Sequence, residues 1–141
     1  MRVVLDTNVL LVSITPKSIF YPIFDSFLKE EYELCVTTEI LLEYEEILKI
    51  KVGLELASAI ISIIENAPNT IFITRYFEWN LITVDLDDNK FVDCAIAANA
   101  KLLVTEDKHF NVLKQISFPK VQLINIKKFI TFELNRTLND N

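Results

Sequence analysis

The chain has 141 residues, 51% of them hydrophobic, and a formal net charge of −6, so one domain spanning residues 1–141 and burying roughly 70% of its unfolded surface is expected. A single glycine (Gly53), a single histidine (His109) and two distant cysteines (Cys35 and Cys94) exclude a Walker loop, a dinucleotide fingerprint, paired-histidine metal sites and a zinc ribbon. No apolar run approaches the ~20 residues of a membrane span and no signal-peptide pattern is present, so a cytoplasmic protein with free, buried thiols is expected.

In chain order, residues 2–6 read as a β-branched buried strand. A loop over residues 13–17 leads to a helix in which Ile19/Phe20, Ile23/Phe24 and Phe27/Leu28 recur at helical spacing, with Pro22 in its first turn. Residues 34–37 read as a second strand. Thr38 is placed to cap a helix running to about residue 51, Gly53 breaks it, and residues 54–66 form a partner helix ended by Asn66-Ala67-Pro68. Residues 71–74 are a third strand, and residues 79–84 are open between strand and loop. Asp85-Leu86-Asp87-Asp88 is a polar break and helix start, followed by an alanine-rich helix over residues 91–100. Residues 102–105 are a fourth strand, 109–116 a short helix, 121–126 a fifth strand and 127–134 a final helix. This alternation predicts a three-layer α/β fold: a parallel five-stranded sheet flanked by helices, with right-handed crossovers.

Four carboxylates fall where such a fold gathers its functional groups. Asp6 closes Val3-Val4-Leu5 and Asp107 closes the fourth strand. In open α/β sheets, ligands bind outside the carboxyl ends of the strands. Each acid is also an ordinary cap or turn residue. Glu43 borders the apolar stripe of its helix, whereas Glu45 and Glu46 read as solvated surface. Asp93 interrupts Phe91-Val92-Asp93-Cys94-Ala95-Ile96-Ala97-Ala98, an apolar helix in which a charge needs a partner, with Lys90 and Lys101 as the bland choices. Asp85, Asp87 and Asp88 read as caps and macrodipole-favouring acids. Two carboxylates about 5 Å apart repel by about 3 kcal/mol at an effective dielectric near 20. A chain that gathers four must raise some pKa values or bind cations. An oxygen-only set favours Mg²⁺ or Mn²⁺ over zinc. The negative charge argues against a large phosphate-binding face; bound cations and local lysines, Lys108 beside Asp107 among them, would reconcile the two.

Four segments, in order, make the sequence resemble the PIN-domain family from Val3 to about Phe110: Val3-Val4-Leu5-Asp6-Thr7-Asn8-Val9-Leu10, residues 38–43, Asp93-Cys94-Ala95-Ile96-Ala97-Ala98-Asn99-Ala100, and Leu103-Val104-Thr105-Glu106-Asp107. Each segment alone is weak, and the four in order are specific. The resemblance implies a parallel sheet flanked by helices and Mg²⁺- or Mn²⁺-dependent endoribonuclease activity. For a small single-domain member it implies a likeness to the VapC-type toxins of toxin–antitoxin pairs, with an RNA substrate and a cognate antitoxin. Carried over residue by residue, Asp6, Glu43, Asp93 and Asp107 take the acidic, metal-holding and catalytic positions. Asn8 and Thr105 take the polar positions that orient the first and last acids. In one branch of the family the prominent third acid is the Asp before the Lys-Phe pair, here Asp88; the apolar context of Asp93 favours Asp93. Metal-assisted hydrolysis needs no nucleophilic side chain, which suits a chain without a Ser/His or Cys/His set. The alternatives are a catalytically silent protein-binding module on the same fold and a non-toxin RNA-processing nuclease. An aspartyl phosphatase is disfavoured because Asn8 stands where a second Asp is usual. The apolar helices between residues 40 and 64 offer more hydrophobic surface than one sheet face covers, which predicts a homodimer.

Overall fold

The computed structural model describes residues 1–75 and 77–134. Five strands, β1 (Arg2–Leu5), β2 (Glu33–Val36), β3 (Thr70–Phe72), β4 (Leu102–Val104) and β5 (Leu123–Ile124), form one sheet in the order β3-β2-β1-β4-β5. Every pairing is parallel. Val3, Val4, Leu5, Leu102, Leu103 and Val104 are all buried, so neither face alternates with polar residues, as a sheet covered on both sides requires.

The covering helices are α1 (Thr7–Ser13), α2 (Pro22–Leu28), α3 (Thr38–Val52), α4 (Leu54–Asn66), α5 (Asn89–Ala97) and α6 (Ile126–Lys128), the last continued by a wider turn over Phe129–Leu134. Among these, α5 packs on β1, β2 and β4, and α3 packs along α4. The result is the three-layer arrangement expected from the alternation of elements.

Strand order positions the site. The chain lays down β1, β2 and β3 outward on one side, then returns to place β4 and β5 on the other. The order therefore reverses between β1 and β4, where crossovers diverge and leave a crevice at the strands' carboxyl ends. Leu5 lies opposite Val104, and the Asp6 N–H donates to the Val104 carbonyl at 3.0 Å. The first residues beyond both strands, Asp6 and Thr105, are thereby set side by side.

Local details refine or depart from the sequence reading, the fifth strand among them, which is confined to Leu123–Ile124 within the expected 121–126. The chain turns straight from β1 into α1, a short helix that periodicity does not reveal. Thr37, one residue earlier than expected, caps α3 by accepting from the Ile40 N–H at 3.2 Å. Residues 77–84 contain no helix or strand, so the open assignment of residues 79–84 resolves to a loop. Its anchor is Ile82, whose N–H and carbonyl are both held by the Asn89 side chain, at 2.9 and 2.8 Å. Residues Lys108–Gln115 form a tight 3₁₀ turn rather than an α-helix, and Leu86–Asp88 form another. Cys35 and Cys94 are free and buried. Among the described residues no helix is long and apolar enough to cross a membrane.

Gly53 joins α3 to α4 at φ 90° and ψ 164°, a region that side-chain-bearing residues reach only with strain of order 1–3 kcal/mol. Nothing lies within 4 Å of the position a Cβ would take, so the constraint is conformational rather than steric. Gly53→Ala is expected to destabilise the fold by about 1–3 kcal/mol in chemical denaturation. An unchanged midpoint and slope would contradict this.

Candidate active site

The carboxyl ends of β1 and β4 deliver the first two acids. Asp6 stands at the head of α1 but closes no capping hydrogen bond there. Its Oδ2 instead accepts from the Thr105 hydroxyl at 2.8 Å. Thr105 is buried, and the same hydroxyl oxygen accepts from the Asp107 N–H at 3.0 Å. One threonine thus ties the end of β1 to the turn that carries Asp107. Asp107 in turn receives the His109 N–H on Oδ1 at 2.9 Å, which starts the 3₁₀ turn. Burial pushes the pKa of Asp6 above its ordinary value; bonds from Thr105 and the Thr7 N–H pull it back, and the nearby charges of Asp107 and Glu43 push it up again.

Glu43 arrives from α3. The buried Tyr44 donates its hydroxyl to the Leu5 carbonyl at 2.5 Å, pinning this turn of α3 against the end of β1. Glu43, the preceding residue, then accepts from the Thr7 hydroxyl on Oε2 and from Lys90 Nζ on Oε1 at 2.7 Å. Lys90 also meets Asp87 Oδ1 at 2.9 Å. Burial works to lower the lysine's pKa, but its bonds to Glu43 and Asp87 outweigh that and hold it above the usual value.

Asp88 comes from the start of α5. It occupies the N-cap position, yet its side chain makes no capping bond. Asp85 caps the preceding 3₁₀ turn, accepting from the Asp87 N–H at 3.1 Å. Asp88 Oδ2 is buried and accepts no hydrogen bond. His109 Nδ1 lies 3.5 Å from it and 3.6 Å from Asp107 Oδ1. The pKa of Asp88 is pushed up to about 6, first by burial and then by the charges of Asp85, Asp107 and Asp6, with His109 pulling the other way. Asp6 thus feels the charges of Asp107 and Glu43, and Asp88 those of Asp107 and Asp6.

Asp93 stands in a different setting. Its Oδ2 accepts from Arg75 Nη1 at 3.2 Å and its Oδ1 from the Trp79 N–H at 3.2 Å. Arg75 also reaches Glu39 at 2.8 Å and Glu78 at 3.1 Å. Burial raises the Asp93 pKa, the Trp79 N–H and Arg75 lower it, and Glu78 adds to the rise. The charge buried in the apolar helix has its partner, and that partner is Arg75 rather than Lys90 or Lys101. Asn8 is exposed on the first turn of α1, where it lines an apolar groove of about 740 Å³ with Val9, Val12, Ile19 and Phe20.

Sequence reasoning does not single out Lys90, His109, Arg75 or Asp85 as parts of this site. The signals it offers for them are slight. Asp87-x-x-Lys90 is a one-turn ion-pair spacing, and His109 follows Asp107 by the two residues of a side-chain-closed turn.

The acids have the character of a hard-cation site. Ligand atoms of Asp85, Asp88 and His109 lie within 4.8 Å of one another, so the gathered donors are carboxylate oxygens with one imidazole nitrogen, and one Asp88 oxygen is buried without a hydrogen bond. Asp6 and Asp107 are near enough for their charges to act on Asp88, and Glu43 near enough to act on Asp6. Repelling carboxylates with a buried oxygen that accepts no hydrogen bond suit a divalent cation.

Acids at the switch point of a parallel sheet stand where open α/β folds bind ligands, and sequence comparison gives the family. The PIN domain family model matches residues 2–109, a span that includes every acid just described, and the chain belongs to the PIN domain family. Twelve chains of solved structures match it. Among them is the crystal structure of VapBC2 from Rickettsia felis bound to a DNA fragment from their promoter, with a TM-score of 0.63 at 20% identity, covering 89% of this chain and 98% of that one. At that identity the likeness is one of fold. No curated protein matches the sequence.

Proposed function

We propose that the protein is a divalent-metal-dependent endoribonuclease, acting in the cytoplasm as the toxin of a toxin–antitoxin pair. The observation that carries this reading is the set of carboxylates near the β1/β4 switch point, with a buried Asp88 oxygen that accepts no hydrogen bond and lies 3.5 Å from His109 Nδ1. Asp6, Glu43, Asp88 and Asp107 would hold Mg²⁺ or Mn²⁺. A bound divalent cation supplies an activated water and charge stabilisation at a phosphodiester.

The remaining work falls to the chain's own side chains. Thr105 fixes Asp6 against the Asp107 turn. Thr7 and Lys90 hold Glu43 from its two sides, so that helix α3 presents the carboxylate rather than letting it swing. Asp93 serves as a positioning residue, binding Arg75 and the Trp79 backbone beside Lys90. The toxin assignment and the antitoxin partner draw support from the resemblance to VapC-type toxins and from the shared fold with VapBC2. Exposed Leu42 (60%), Ile50 (70%) and Leu54 (66%) on α3 and α4 favour a homodimer.

Purified protein is expected to cleave single-stranded RNA in Mn²⁺ or Mg²⁺, to lose that activity in excess chelator and to regain it on Mn²⁺ addition. Undiminished cleavage in chelator would contradict the mechanism. Sedimentation is expected to show a dimer, and a monomer at all concentrations would contradict that assignment.

A further inference from the structure

The acidic balance of the chain hides a local reversal. Residues 108–128 contain Lys108, Lys114, Lys120, Lys127 and Lys128, five of the chain's 14 Lys and Arg, and none of its 20 Asp and Glu. Three of these lysines converge. A polar recess of about 240 Å³ beyond the carboxyl ends of β4 and β5 is walled by Thr105, Asp107, Lys108, Asn111, Lys114 and Lys128. The other carboxylate on its wall, Glu106, is engaged through Oε1 by the Ile126 N–H at 2.6 Å. Lys29, Lys49, Lys90 and Lys101 each pair with a carboxylate. Among the described residues Lys108, Lys114 and Lys128 do not.

We infer that this recess is a phosphate subsite, which holds the nucleic-acid backbone next to the phosphodiester lying at the acid cluster. The inference rests on the nuclease reading for the identity of the strand. Asp107 and Thr105 belong both to the acid cluster and to the recess wall, so the two sites are contiguous. A phosphate seated among the lysines lies beside a bond at the acids. Three unpaired ammonium groups around a concave polar wall, in a protein otherwise acidic, complement a polyanion and little else. The subsite also answers how an acidic protein engages RNA: cations neutralise the cleavage centre and the acid-free segment takes the flanking phosphates.

The test uses full-length protein carrying Asp6→Asn to suppress cleavage, with a fluorescein-labelled single-stranded RNA oligonucleotide in Mg²⁺ and fluorescence anisotropy as the readout. Lys108→Ala/Lys114→Ala/Lys128→Ala is expected to weaken binding roughly tenfold or more at physiological salt. It should also flatten the slope of log affinity against log salt by roughly 2, since each phosphate neutralised on a single strand accounts for about 0.7 of that slope. The Lys→Gln version of the same triple change, with folding checked by circular dichroism, is expected to behave alike. A control triple, Lys17→Ala/Lys29→Ala/Lys51→Ala, is expected to keep the parental slope. Parental affinity and slope in the recess variants, or an equal loss in the control, would overturn the subsite. So would polyglutamate displacing the RNA through the same lysines at equal charge concentration, which would assign the recess to an acidic protein segment. If otherwise native recess variants cleave RNA with parental KM, the subsite falls and the nuclease reading stands. Lysine-dependent RNA binding by a protein that cleaves nothing in any metal would do the reverse.

Discussion

Asp6→Asn is expected to lower RNA cleavage by at least about two orders of magnitude, because a metal-held water and charge clamp is worth several kcal/mol and each 1.4 kcal/mol is tenfold. The same change is expected to make the metal-free protein harder to unfold at pH 7. The sign follows from the site. Burial, aided by Asp107 and Glu43, raises the folded pKa of Asp6 above its ordinary value, so the ionised carboxylate costs stability once the pH exceeds that pKa. The cost is absent below the unfolded value and grows as pH rises through the folded one. Asparagine keeps an oxygen for one of the two hydrogen bonds Asp6 accepts and removes the charge, for a gain on the order of 1–3 kcal/mol. A capping aspartate would respond differently, since Asn caps about as well as Asp and the change would be neutral. Chemical denaturation in chelator measures this. Neutral stability together with retained cleavage would remove Asp6 from the site.

Asp88→Asn is expected to alter the pH profile of stability more than any other single change. The folded pKa near 6 exceeds the unfolded value, so the native state binds more protons across the interval between them. Stability of the metal-free protein therefore falls as pH rises from about 4 to 6 and then levels off. The carboxylate is partly open to solvent, so the loss is about 2 kcal/mol rather than the roughly 3 kcal/mol of an unscreened shift. The Asn variant loses this contribution to the slope and should be more stable by about that amount at pH 7, with no advantage at pH 4. Thermal unfolding at a series of pH values in chelator checks it. A wild-type curve that rises between pH 4 and 6, or a variant with the same slope as wild type, would contradict the assignment of this shift to Asp88. Mn²⁺ is expected to raise the melting temperature of the wild type at pH 7 more than that of the variant.

The sheet is legible in the sequence because its strands are buried on both faces. Short unbroken runs such as Val3-Val4-Leu5 and Leu102-Leu103-Val104, with acids close behind them, can hardly be surface elements. Their polar followers must collect at the carboxyl edge. The α1 helix is not legible: it has seven residues, no acid in its first turn and no side-chain cap, so none of the usual start signals marks it. The proposed exchange of Asp93 for Asp88 as third acid shows the limit of local reasoning more sharply. Asp93 is anomalous in an apolar helix, and the anomaly is real, but its partner Arg75 lies 18 residues away in a loop whose path no periodicity encodes. Asp88 reads as a cap because it occupies the cap position. Only the fold shows that the Asp88 side chain makes no capping bond to α5 and leaves one oxygen buried without a hydrogen bond, 3.5 Å from His109 Nδ1. The grip of Lys90 on Glu43 spans 47 residues and is equally out of reach.

The most direct measurement is Mn²⁺ binding by isothermal titration calorimetry to the wild type, Asp88→Asn and Asp93→Asn, each checked for native circular dichroism. With Asp6, Glu43, Asp88 and Asp107 as the cation-holding set, Asp88→Asn weakens binding by tenfold or more (about 1.4 kcal/mol or more). Asp93→Asn, whose charge serves Arg75, binds within a few-fold of the wild type. Wild-type protein that binds no Mn²⁺, or a loss confined to Asp93→Asn, would contradict the site.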